Sequence, residues 1–363
     1  MYYYIFLLVL YAFIAFKEMR KHFPFTLRKI VIFCLLFPMF MMSAFRAETI
    51  GTDTENYLRT YNYIADCNLL NAFVVSRMES GYVFLNYICS HFGISFLGMQ
   101  VIINIFIYYS LSCFFFKYSP NIGLSCFLFL SLRMMFGPMN VVRMYIALAI
   151  LLWAIPYIQK RKFCSFTIVC LIASSFHLAA LLFWILYPLC VWKNKFKNYV
   201  IWSIAIAIAL LGNLFFVKIT SSIGIYEGYL NSQYFDGSIK VATYLSLVIN
   251  LCFYLFILIA NKSRLRMERG GGELSMLYVS SVSMKIILAI GLVGLTNSIM
   301  SRLSGFFDIF LLFLIPYSFY SLDNILKRYC LGFIMMILLV MQFLIVLMYR
   351  PNWNGVVPFE WGF

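Results

Sequence analysis

Residues 331–348, LGFIMMILLVMQFLIVLM, run for eighteen positions without a charge. At about 1.5 Å of rise per residue such a run crosses most of a bilayer's hydrocarbon core, where only a helix satisfies the backbone within its own segment. The same reading extends outward along the chain. Its 363 residues are 64% hydrophobic and 11% charged, with 39 Phe and 26 Tyr, and the mean hydropathy is +0.91. One soluble core cannot absorb that much apolar surface, and no ten-residue alternating pattern suggests a barrel. The fold class is therefore all-α, a polytopic integral membrane protein.

Apolar periods predict about twelve helices, near residues 2–16, 30–45, 96–116, 122–136, 141–158, 163–175, 178–192, 199–217, 241–259, 275–299, 305–320 and 331–348. Several are too short for a simple crossing, which fits tilted, broken or re-entrant segments. The chain, 1–363, reads as a single transmembrane domain. With the N-terminus outside, eighteen of the 28 basic residues but only four of the 13 acids fall in cytoplasmic loops, the usual sign of orientation. The net charge of +15 is then a topology signal, and no nucleic-acid partner is needed to explain it. Residues 1–16 lack a basic region before their apolar stretch, so the first helix is expected to stay rather than be cleaved.

Ten Cys occur without a CxxC pair, and most lie in apolar segments as small hydrophobes. Cys67 and Cys89 fall on the expected outer side, where a disulfide and two free thiols are both open readings. Three His and no closely spaced Cys/His set imply no metal and no cofactor.

Two polar insertions interrupt the apolar pattern. Residues 46–95 form an expected first extracytoplasmic loop, in which Thr52-Asp53-Thr54-Glu55-Asn56-Tyr57 reads as a turn or helix start after the bend that Gly51 permits. Residues 218–240 form a second, with Tyr226-Glu227-Gly228-Tyr229 and Tyr234-Phe235-Asp236-Gly237; rings among acids suit sugars, and equally an interfacial aromatic belt. The run Arg269-Gly270-Gly271-Gly272-Glu273 is a flexible link, since no strand precedes it and no Lys-Ser/Thr follows. Near the apolar spans stand Arg46, Asp53, Glu79, Arg143, His177 and Arg302, each needing a cavity, a partner or a ligand to offset desolvation.

Five ordered stretches carry a family likeness: Phe45-Arg46 with Gly51–Tyr57; Glu79-Ser80-Gly81-Tyr82 leading to Leu85-Asn86; Val142-Arg143-Met144-Tyr145-Ile146-Ala147; Ser174-Ser175-Phe176-His177-Leu178-Ala179-Ala180; and Ser301-Arg302 before Phe306-Phe307 and Pro316-Tyr317. Together they resemble the EpsG-like branch of the Wzy polysaccharide polymerases. Met144 departs from the Gln often found there, and the paired Arg-x10-Gly repeats of other Wzy proteins are missing, since Ala154 and Phe313 stand where Gly would be.

The resemblance implies a GT-C-like membrane glycosyltransferase of O-antigen or exopolysaccharide synthesis, in the lipopolysaccharide sense a polymerase of the bacterial inner membrane. It would transfer a glycan chain from a polyprenyl (undecaprenyl) pyrophosphate carrier onto a lipid-linked repeat unit at the outer leaflet. Its partners would be those lipid-linked oligosaccharides, membrane lipid, and a chain-length regulator and flippase of the same pathway. A diphosphate leaving group calls for cations with a fixed fork of donors, which points to Arg143 and Arg302 with Arg46 as a third. The acceptor hydroxyl needs a group to take its proton, for which His177, Asp53 and Glu79 are the candidates; Tyr57, Glu227 and Tyr229 would meet sugar. Competing classes are a secondary transporter or flippase using Lys285 and Asp308 as deep charges, an O-antigen ligase, and a membrane acyltransferase.

Overall fold

The computed structural model describes residues 1–76, 78–191, 199, 202–203, 241–267, 273–296 and 298–362. Arg77, most of the helix expected at 199–217, the loop 218–240 with Glu227 and Tyr229, and the glycines of the 269–273 link lie outside the described residues. What is described is helical, and its one β-bridge joins Arg46 to Trp361.

Among the described residues six helices are long and apolar enough to cross a membrane: Tyr2–Arg20 (α1), Phe25–Ala44 (α2), Phe96–Tyr118 (α6), Val241–Ala260, Met276–Leu295 and Ile325–Tyr349. Two further candidates are bent pairs, Ile122–Ser131 with Met134–Asn140 at 66° and Met300–Asp308 with Leu311–Tyr320 at 54°, giving up to eight. Twelve crossings are therefore not reached among the described residues. The outward faces are lipid-like: Phe6, Val9 and Phe13 of α1, Phe33 and Phe37 of α2, and Phe333, Ile334 and Leu338 near the C-terminus are exposed. This is a membrane protein.

Several expected helices break where local chemistry demands. The run expected at 122–136 stops after Ile122–Ser131 (α7) because Arg133 takes the left-handed conformation, φ 63. A short 3-10 turn follows, then Gly137–Asn140 (α8) and Val142–Leu152 (α9). Gly137 is required there, since a Cβ would fall 1.8 Å from the Tyr145 ring. The loop expected at 46–95 is largely three helices: Thr54–Ala65 (α3), Leu69–Val75 (α4) and Ser80–His91 (α5). The helix expected at 178–192 begins as a 3-10 helix, Leu178–Ile185, before turning α-helical.

The described chain forms two compact units. The first comprises Met1–Ile155, Thr167–Leu181 and Phe319–Phe363. There α1 closes on α7 because Gly123 has no side chain; a Cβ would sit 2.4 Å from the Ala15 nitrogen. Glu18, fully buried, accepts from the Ile122 N–H at 2.6 Å and the Gly123 N–H at 3.3 Å, capping α7 from another helix, with Arg28 3.8 Å away. The C-terminal residues 355–362 strap the loop after α2: Gly362 N–H donates to Phe45 O at 2.8 Å, Ala47 N–H to Glu360 O at 3.0 Å, and Gly51 N–H to Gly355 O at 2.9 Å.

The second unit comprises Pro156–Phe166 and Leu182–Ser318. Within it Phe183 stacks on Phe307 and Phe310, Asn261 donates to the Ser318 hydroxyl at 2.8 Å, and Asp308 accepts from the Ser304 hydroxyl at 3.0 Å. None of the ten cysteines, Cys67 and Cys89 included, is in a disulfide.

Candidate active site

Two backbone approaches bring distant pieces of the first unit together. Gly81 N–H donates to Ser175 O at 2.7 Å, so closely that a Cβ on Gly81 would meet Ser175 Oγ at 2.6 Å. Gly51, at φ +99, lies against Met139, whose carbonyl would be 2.3 Å from a Cβ. Asn140 then holds the turn by accepting from the Thr52 N–H at 2.7 Å and the Thr52 hydroxyl at 3.0 Å. The start of α3, the start of α5, the start of α9 and the turn after Ser174 are thereby fixed around one locus.

At that locus Glu79 stands just before α5 but does not cap it. Its Oε2 accepts instead from Arg143 Nη1, and its Oε1 accepts from the Leu178 N–H at 3.2 Å, with His177 Nδ1 at 3.9 Å. Arg143 lies over the Tyr57 ring, 5.9 Å from its centroid. Side chains of Glu79, Arg143 and His177 keep 19%, 26% and 25% of their exposure, so the cluster is neither sealed nor on an open face.

The His177 ring is oriented from behind. The Ala179 N–H donates to its Nδ1 at 3.3 Å, so a neutral ring carries its proton on Nε2. Burial pushes the imidazole below its ordinary value and nearby Arg143 adds to that, while Glu79 pushes back. Asp53 immediately precedes α3 yet makes no capping bond to it; Thr52 donates to its Oδ1 at 3.4 Å. Tyr57, one turn on, is buried, and its hydroxyl is pushed upward chiefly by burial, with Asp53, Glu79 and Arg143 all close enough to act on it. Asp53, Tyr57, Glu79, Arg143 and His177 therefore form one constellation.

Arg46 is placed differently. It is 1% exposed and donates through Nη1 to Ser43 O at 2.5 Å. Burial pushes its guanidinium down to about 10, and Tyr82, Tyr57 and Tyr108 pull it back up. Arg302 belongs to the second unit, exposed in the 3-10 segment Ser298–Ser304. Among the described residues no three His, Cys, Asp or Glu side chains converge as a metal ion would require.

A model of the EpsG family matches residues 29–361, which include every member of the constellation. The chain belongs to the EpsG family. No curated protein and no solved structure matches it. As an EpsG-family protein it is a membrane protein of the polysaccharide-polymerase type. Sequence reasoning found the charged members but missed Asn140 and the Leu178 and Ala179 backbone donors that set their geometry. Asn140, an amide three residues before Arg143 in an apolar stretch, was the available signal; backbone N–H groups carry none.

Proposed function

We propose that this EpsG-family protein is a glycosyltransferase that extends a polysaccharide by moving a polyprenyl-pyrophosphate-linked chain onto a lipid-linked repeat unit at the outer leaflet of a bacterial cytoplasmic membrane. The observation that carries the reading is the partly open Arg143–Glu79–His177 cluster with Asp53 and Tyr57 beside it. In the step proposed, the acceptor hydroxyl oxygen forms a bond to the anomeric carbon. The bond from that carbon to the carrier's diphosphate breaks, the diphosphate keeps the electron pair, and the hydroxyl proton passes to a carboxylate.

Arg143 is the donor fork for the departing diphosphate, and Glu79 holds that fork in orientation. Glu79 is thus already engaged by a cation and a backbone N–H. His177 Nδ1 is engaged by Ala179, so its Nε2–H serves as a hydrogen-bond donor to phosphate or sugar oxygen. Asp53, beside Tyr57 at the start of α3, is the proton acceptor in this proposal. Tyr57 is a sugar contact; Arg302, with phosphate, and Glu227 and Tyr229 of the loop 218–240, with sugar, keep only the roles that the family resemblance implies for them. A GT-C-like arrangement, further crossings, the loops 46–95 and 218–240 on the extracytoplasmic side, and a flippase and chain-length regulator as partners complete the reading.

The test supplies purified protein with one lipid-linked repeat unit. A ladder of longer lipid-linked products is expected. A single transfer to an acceptor without a carrier lipid would make the protein a ligase, and solute uptake into vesicles without sugar transfer would make it a transporter; either result overturns the proposal.

A further inference from the structure

Among its described residues the first unit buries several side-chain polar atoms that find no protein partner. Arg46 Nε has none, and no carboxylate pairs with that cation among the described residues. Asn104, 1% exposed, reaches the same Ser43 carbonyl as Arg46 through Nδ2 at 3.4 Å, while its Oδ1 is unpartnered. Gln100, one turn earlier on α6 and 4% exposed, has neither its Nε2 nor its Oε1 bonded. Asn86 of α5, fully buried, leaves Oδ1 unpartnered. Tyr108 reaches the same Ser43, its hydroxyl 2.9 Å from Ser43 Oγ.

The donor set decides what fits. Two unpartnered donors, Arg46 Nε and Gln100 Nε2, stand with three unpartnered carbonyl oxygens, those of Gln100, Asn104 and Asn86. An anion suits the donors and is repelled by the carbonyls; a metal cation suits the carbonyls and is repelled by Arg46. Only a ligand that both donates and accepts satisfies all five, and the one small enough for groups this buried is water.

We infer that Arg46, Gln100, Asn104 and Asn86 line an internal chamber that binds ordered water, and that this water rather than a carboxylate sustains the Arg46 cation inside the unit. Its charge is consequently not cancelled by a counterion, in contrast to that of Arg143. Tyr82 lies within the influence of both arginines, so the chamber sets a second positive charge behind the first. The hydration stands independently of the polymerase reading; only the use of that second charge toward a diphosphate rests on it.

Pulsed X-ray hydroxyl-radical labelling of the purified full-length protein, read by mass spectrometry, tests the chamber, because radicals formed from bound water attack the side chains beside it. Tyr4 and Tyr11 are internal controls: both are fully buried, with their hydroxyls bonded to Val356 O at 3.1 Å and Leu35 O at 2.8 Å. Tyr82 and Tyr108 are expected to label several-fold faster than these controls, and Gln100→Leu with Asn104→Leu to bring them down to the control rate. Equal labelling of all four tyrosines in the unmodified protein would show a dry interior and overturn the inference, whatever the sugar-transfer assay gives.

Discussion

Glu18 and Glu79 meet the same two kinds of partner, an arginine and backbone N–H groups, and the first unit puts them to opposite use. Glu18 is fully buried, caps α7 at Ile122 and Gly123, and stands 3.8 Å from an Arg28 that is itself bonded to Ser119 O at 2.7 Å. Its carboxylate joins two helices and offers nothing to a substrate. Glu79 leaves its own helix uncapped, and its pair with Arg143 keeps about a fifth to a quarter of its exposure. A carboxylate that forgoes the nearest helix N-terminus to hold an arginine and the turn before Ala179 marks a place where geometry serves chemistry. Equal pairing chemistry therefore separates by exposure and by what the carboxylate leaves undone.

The largest effect that would sharpen this contrast is at Arg143. Arg143→Lys keeps the charge but loses the planar fork, and chain extension is expected to fall by about 10²–10³-fold while the protein reaches the membrane in normal amount. Immunoblots of membranes beside glycan ladders check both halves. Glu18→Ala should show the reverse: loss of about 3–5 kcal/mol as Arg28 and the α7 amides lose their buried partner, seen as lower yield and a lower unfolding temperature in detergent. Full-length polymer made by Arg143→Lys, or normal stability of Glu18→Ala, would erase the distinction between the two pairs.

A smaller effect reads His177 through pH. Its folded value is depressed below the ordinary value of about 6.5, so as pH falls the unfolded chain takes up the proton first. Stability should therefore drop below that ordinary value, while the folded ring stays neutral and active until the pH falls through its depressed value. His177→Gln, which places an N–H donor near the Nε2 position and cannot titrate, should retain activity to within about tenfold and lose this acidic limb. His177→Ala should be far less active. If the Gln and Ala variants were equally inactive, His177 would be the proton acceptor and Asp53 would not.

How much of this was readable beforehand depends on range. Composition and apolar runs were enough for the all-α membrane class, and Gly51 with Thr52 marked the start of α3 one turn before Tyr57. The count of crossings was not readable, because a left-handed Arg133 ends α7 in the middle of an apolar run that hydropathy treats as continuous. Charge placement named Glu79, Arg143 and His177, but their convergence depends on Gly81 lying against Ser175, a contact across 94 positions that no local pattern encodes. For the same reason Arg46 looked like a third member of one set. Its burial comes with α6 packing against α2, and only Gln100 and Asn104, two amides one helical turn apart in an apolar helix, hinted at a polar interior there.

The smallest effect tests that convergence directly. Gly81→Ala puts a methyl group 2.6 Å from Ser175 Oγ and 2.8 Å from Ser175 O, and the second of these is backbone that cannot rotate away. The turn must shift, at a cost of about 1–3 kcal/mol, and His177 moves with it relative to Glu79. Gly93→Ala is the matched control: its Cβ would meet nothing within 4 Å, and only the strain of a positive φ of 71, about 1–2 kcal/mol, is incurred. The two variants should melt at similar temperatures, yet only Gly81→Ala should slow chain extension, by roughly tenfold for each ~1.4 kcal/mol of misalignment. Adding Ser175→Ala should restore little of that rate, because it removes the hydroxyl and leaves the carbonyl in place. Equal activity of the two glycine variants would mean that the Gly81–Ser175 approach builds the fold without aligning the site.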